Sequence, residues 1–361
     1  MKITAALLRE KNGPFSIEEV EIDEPREDEI LVKIMGSGLC HTDLFISYIL
    51  PFAPFVVGHE GAGIVEKVGA KVKKVKPGDK VVLSFRTCGT CVFCLSGQPA
   101  YCLNFPRFNS TGRRPDGSTT MKNADGPVYG NFFGQSSFAS YALTIEQNTI
   151  KVPDDVPLEI LGPFGCSVQT GAGAVINTFA AKAGSSIAVF GVGAVGLSGI
   201  MAAKIVGCTT IIAVDVFDNR LALAKELGAT HTINSKEADP VKTIREITGL
   251  GVDYALDCTG VPAVAKQAVE STHIKGTTGI VGLAHGKPLE LDYASVQCGR
   301  TVKGVMEGDA VPDLFIPKMV ELYKQGKLPF DKFIKKYALK DINQAVDDVH
   351  HGTTIKPILI P

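Results

Sequence analysis

The 361-residue chain has no uninterrupted apolar stretch near the roughly 18 residues that a helix needs to cross a membrane. It has no charge excess either, with 37 Lys plus Arg against 38 Asp plus Glu. The first absence argues against a helical membrane span. The second removes the electrostatic footprint expected of a nucleic-acid binder or of a protein docked on an acidic membrane. The opening stretch MKITAALLREKNG holds too short an apolar run for a signal peptide, so a cytoplasmic setting is expected. No repeat of fixed period and no low-complexity tract occurs. What remains is a chain long enough for two domains and a sizeable core.

Nine cysteines are present, and in a reducing compartment they are expected to be thiols or metal ligands rather than disulfides. Four of them, Cys88, Cys91, Cys94 and Cys102, crowd into CGTCVFCLSGQPAYC. Thiolates this close repel one another unless a cation neutralises them, and a Cys₄ set closes a tetrahedral zinc site. An iron–sulfur cluster is the competing reading, but one short glycine-containing lobe suits a single ion better.

The organising stretch is SIAVFGVGAVGLSGIMAAKIVGCTTIIAVD, which reads as strand, glycine turn, helix and strand. Gly191, Gly193 and Gly196 make GxGxxG, where the three glycines serve a tight turn, close approach of a pyrophosphate, and packing of helix on strand. The anion is expected on free N–H groups at the helix start. Asp215 ends the second strand, where its carboxylate accepts from ribose hydroxyls and repels a 2′-phosphate, favouring NAD over NADP.

Before this stretch, residues 1 to about 85 carry short, often alternating strand patterns between Gly, Pro and charged turns, a barrel-like antiparallel signature. A long irregular segment follows from 104, returning to strand character in FFGQSSFASYAL. After Asp215, helix and strand alternate in the doubly wound order. Beyond about 304 come two amphipathic helices and a last apolar strand, KPILIP.

Cys40, His59 and Cys166 are candidates for a second zinc site, since two thiolates and one imidazole leave a fourth position open for an alcohol oxygen. They lie far apart in sequence, and on residue types alone Cys40 beside His41 reads equally well as a buried thiol next to a surface histidine. Asp43 and Glu60 favour the ligand reading, because a ligand histidine normally donates its other N–H to a carboxylate. Cys208, Cys258 and Cys298 read as core or inert thiols. His231, His273, His285, His350 and His351 have no ligand partner nearby in sequence.

GLCHTD, GHEGAGIVEKVG, the four-cysteine lobe, Cys166 and GVGAVG, in this order, resemble the zinc-dependent medium-chain alcohol dehydrogenase family over essentially the full length. Within it, REKNGPFSIEEVEIDEP and GRRPDGST are most similar to the bacterial aryl and benzyl alcohol dehydrogenase branch. The resemblance implies an α/β fold with a GroES-like β-rich catalytic domain, 1–166 completed by 305–361, and a doubly wound Rossmann domain, 167–304, with NAD in the cleft between them. It implies two zinc ions per chain, one catalytic and one structural, a small alcohol or aldehyde as substrate, and a homodimer or homotetramer.

By the same resemblance Thr42 bonds the substrate oxygen, with Glu60 beside the metal. His41 and Lys356 contact the pyrophosphate, and Arg220 lies near the adenosine ribose. Thr170 packs on the nicotinamide, with Val281 and Val305 at its ring and carboxamide. One departure stands out: Phe45 occupies the place of the histidine that in familiar relatives relays the proton to solvent, so His41 or water must finish the relay. Phe45 and Phe85, with Phe52, Phe55, Phe132 and Phe133, are expected to line an aromatic channel suited to benzylic or allylic alcohols. Two alternatives are a thiol-adduct aldehyde dehydrogenase of the same fold and a non-catalytic NAD(H)-binding zinc redox sensor.

Overall fold

The structure, a computed structural model, describes residues 1–284 and 286–361; His285 lies outside the described residues. Among the described residues no helix is long and apolar enough to cross a membrane. The chain forms two compact units. The first comprises Met1–Ser167, Val311–Lys324 and Asp331–Pro361, and the second Val168–Ala310 and Gln325–Phe330.

The first unit is the β-rich one. A five-stranded sheet runs Phe55–Val56, Lys2–Leu8, Ser16–Ile22, Met121–Asn123 and Gly126–Val128. In the seven-stranded sheet the strand Glu29–Gly38 is central and pairs antiparallel with Glu60–Val68, Tyr141–Ile145 and Lys356–Ile360. Its alternate residues Ile30, Val32 and Ile34 are buried with Val65, Val81 and Leu83, while Leu31 on the other face joins a second core cluster, so a one-residue slip would disrupt both. That register sets Gly38 opposite both Glu60 and Ile358. Residues 39–40, 59–60 and 356 are thereby brought to one end of the sheet.

The second unit is a six-stranded parallel sheet. Its strands in chain order are Ser186–Phe190, Thr210–Asp215, His231–Asn234, Val252–Asp257, Thr272–Ile280 and Thr301–Gly304, and they lie side by side as 3-2-1-4-5-6. This is the doubly wound arrangement, with its switch of direction between the first and fourth strands.

Two expectations shift. The second crossing between units comes at 310/311 rather than 304/305, because Val305 N–H still bonds the Ile280 carbonyl and Gly308 packs on Gly173. Strand character in FFGQSSFASYAL is confined to Tyr141–Ile145. Its first half is a tight turn in which Phe133 and Ser136 take left-handed backbone angles.

Candidate metal and nucleotide sites

The first site forms where the strand Glu29–Gly38 ends and the helix His41–Ile49 begins. Asp43, fully buried, ties three groups together with one carboxylate. Its Oδ2 accepts from Cys40 N–H at 3.0 Å, and its Oδ1 accepts from Gly58 N–H at 3.0 Å and from His59 Nδ1 at 2.8 Å. Because the ionised carboxylate only accepts, the proton of neutral His59 sits on Nδ1 and Nε2 is left bare. Nε2 is buried without a hydrogen-bond partner. The ligand atoms of Cys40, His59, Glu60 and Cys166 lie within 4.8 Å of one another. An orphaned imidazole nitrogen facing two thiols is the donor set of zinc, so the residues fit that ion.

The electrostatics agree. The Cys40 thiol is drawn well below its ordinary value, first by the hydrogen bond from Cys166 and, against burial, by His59 and Lys356. Burial disfavours the charged form of His59, but Asp43 and Cys40 favour it and raise His59 well above its ordinary value, so a cation at Nε2 competes with a proton there. Burial raises Glu60 above its ordinary value, against the pull of Lys356.

Glu60 and Lys356 form a buried pair. The Lys356 ammonium lies 3.0 and 2.9 Å from the two carboxylate oxygens and 3.0 Å from the Leu39 carbonyl. Glu60 Oε1 also accepts from Ser167 N–H at 3.2 Å. Lys356, expected at the pyrophosphate, is placed by its strand against Glu60 and the Leu39 carbonyl. Gly38 makes room for the arrangement, as a Cβ there would meet Glu60 Oε2 at 2.0 Å.

Thr42 Oγ1 lies 3.8 Å from Cys40 Sγ, and His41 is exposed at the helix start. The Phe133 ring lies 4.6 Å from the His59 ring, tilted by 33°, and Phe132 meets it edge-on at 5.6 Å. Phe85 is buried one ring further out, against Phe105, which in turn packs on Phe133. Phe45 is half-buried on the helix that carries Thr42. Phe52 stacks on Tyr129 at 4.8 Å with the Arg113 guanidinium against both rings. Gln135 escaped the sequence reading: its side chain bonds Gly61 N–H and the carbonyls of His59 and Ser84, bracing the ligand strand from behind.

In the lobe, the four sulfurs of Cys88, Cys91, Cys94 and Cys102 also gather within 4.8 Å. Cys91 and Cys88 lie 3.6 and 3.9 Å from Cys94, close to the ~3.8 Å separating two thiolates on one tetrahedral zinc. Without a cation the thiols are driven apart in acidity. Backbone N–H bonding, foremost from Thr90, pulls Cys88 to about 5, whereas burial pushes Cys94 to about 12.

The second unit carries the residues expected at a nucleotide. Gly191 has φ +81°, a Cβ on Gly196 would meet the Gly191 carbonyl at 2.1 Å, and Gly193 faces open space where a phosphate can approach the backbone. These are the three demands that the glycine turn makes of its positions. Asp215 Oδ2 accepts from Val192 N–H at 2.8 Å, and Oδ1 accepts from the N–H groups of Val216 and Phe217. Of about four acceptor positions one is left for a ribose hydroxyl. Arg220 and Lys236 both lie over the Phe217 ring, at 4.7 and 5.3 Å. Val281 and Val305 follow the fifth and sixth strands, and Thr170 is buried on the helix Ser167–Gly173.

Comparison with known proteins matches both parts. A zinc-binding dehydrogenase model fits residues 194–325, and an alcohol dehydrogenase GroES-like domain model fits residues 26–154. The chain is 45% identical to a geraniol dehydrogenase of Castellaniella defragrans over 99% of this chain and 97% of the relative. A benzyl alcohol dehydrogenase from Acinetobacter calcoaceticus superposes with a TM-score of 0.96 at 46% identity, covering 100% and 99% of the two chains. An alcohol dehydrogenase zinc-binding domain protein from Burkholderia ambifaria gives a TM-score of 0.97 at 53% identity, with the same coverage.

Proposed function

The chain belongs to the zinc-dependent alcohol dehydrogenase family, and from that premise we propose that it interconverts primary aromatic or allylic alcohols and their aldehydes with NAD. The observation that carries this reading is the bare, buried His59 Nε2, faced by two thiols and walled by Phe132 and Phe133. When bound, zinc at Cys40, His59 and Cys166 supplies a Lewis acid for the alcohol oxygen, and the nicotinamide supplies the hydride acceptor.

The chain's own residues do the rest. Asp43 holds the imidazole in the tautomer that frees Nε2. The Thr42 hydroxyl, next to Cys40, takes the proton of the alcohol and passes it outward, with His41 or water completing a relay that Phe45 leaves without its usual histidine. The flat faces of Phe132 and Phe133 exclude water and favour planar substrates, each aromatic contact contributing on the order of 1 kcal/mol beyond burial. Cys88, Cys91, Cys94 and Cys102 hold a second, structural zinc. Asp215 turns one acceptor to the ribose and its charge against a 2′-phosphate, which favours NAD. A cytoplasmic homodimer or homotetramer completes the proposal.

A panel of alcohols measured with NAD and NADP tests it. Benzyl, cinnamyl or geranyl alcohol with NAD should exceed ethanol in kcat/KM by roughly tenfold or more. Ethanol or a polyol ranking first would overturn the substrate assignment.

A further inference from the structure

The sixth parallel strand, Thr301–Gly304, runs into three consecutive residues in the left-handed backbone region: Glu307 at φ +49°, Gly308 at +64° and Asp309 at +50°. Two of them are not glycine, and such strain persists only where the surroundings enforce it, commonly at ligand clamps. Here the enforcement is a close backbone approach. A Cβ on Gly308 would meet the Gln169 carbonyl at 2.5 Å and Gly173 Cα at 2.8 Å, and Asn177 Nδ2 donates to the Gly308 carbonyl at 3.0 Å. The turn sets the Glu307 carboxylate 3.3 Å from Gln169 Nε2 and 3.5 Å from Thr170 Oγ1.

The position has a chemical meaning. In a 3-2-1-4-5-6 sheet a dinucleotide lies across the carboxyl ends of the strands. Asp215 takes the adenosine half on the second strand, which leaves the ring half to the ends of the fourth to sixth strands. Glu307 follows the sixth. An oxidised nicotinamide ring carries a positive charge, and a reduced one carries none. We propose that Glu307 is a specificity-determining residue for the redox state of the cofactor: its carboxylate, held on Thr170 by the strained turn, strengthens binding of NAD⁺ relative to NADH. This rests on the dehydrogenase reading above for the place of the ring.

The test is the pair of dissociation constants for NAD⁺ and NADH, measured on the purified holoenzyme without alcohol. Glu307→Gln keeps the shape and removes the charge, and it should weaken NAD⁺ about tenfold relative to NADH. Glu307→Asp should retain most of the preference, because it keeps the charge and tolerates the left-handed angle. Raising ionic strength should erode the preference in the parent enzyme and leave Glu307→Gln unmoved. Equal weakening of both nucleotides by Glu307→Gln, or no change in either, would overturn the proposal. Failure of the dehydrogenase reading has a different signature: both nucleotides bind but no alcohol is oxidised.

Discussion

His59 Nδ1 donates to Asp43 Oδ1 across 2.8 Å, with both side chains closed off from solvent. One carboxylate thus fixes the imidazole tautomer, the start of the helix through Cys40 N–H, and the turn through Gly58 N–H. Asn at this position matches Asp in size, but an amide nitrogen cannot accept from a backbone N–H. Asp43→Asn should weaken metal at the Cys40–His59–Cys166 site by about 10- to 100-fold, read by competition with a chelator, while metal in the cysteine lobe is unaffected. Unchanged affinity at the first site would contradict this role.

The Lys356–Glu60 pair gives a second expectation. Lys356→Met leaves a buried carboxylate uncompensated and should cost about 3–5 kcal/mol in denaturant unfolding, with part recovered by adding Glu60→Gln. A lysine that also holds the pyrophosphate would in addition raise the KM for NAD.

Legibility differed from residue to residue. The glycine turn and the cysteine lobe are local, so spacing alone suggests their chemistry. Cys40 and His59 meet only through the pairing of the strands Glu29–Gly38 and Glu60–Val68, and Cys166 only through the turn Gly162–Gly165 packed on them, so a resemblance was needed to join the three. Asp43 was legible as an orienting carboxylate because it lies one helical turn from Cys40. The pairing of Lys356 with Glu60 was not legible, since nothing in KPILIP shows that its strand sets it there. Glu307 and Gln135 carry no local signal at all. Their roles come from a strained turn and from a side chain threaded between two strands.

The pH response should be visible at the carboxyl-terminal end. Asp348 accepts from Tyr337, from Lys335 and from Gln344, in that order of effect, and is held at about 2. An unfolded Asp titrates near 3.9, so this lowered value contributes stability present above about pH 4 and lost as the pH falls through about 2. Thermal midpoints of the parent and of Asp348→Asn should therefore differ near pH 5 and converge toward pH 2. A gap that stays constant across that range would remove Asp348 as the cause.

Cys40, His59 and Cys166 are proposed to hold a metal that does chemistry, separate from the metal of the cysteine lobe. Zinc content and turnover of Cys166→Ser, measured on protein purified without added metal, test it most directly. The variant should hold one zinc per chain where the parent holds two, keep its far-UV spectrum, and show no detectable oxidation of benzyl or geranyl alcohol. Retention of activity with both zinc ions would contradict it.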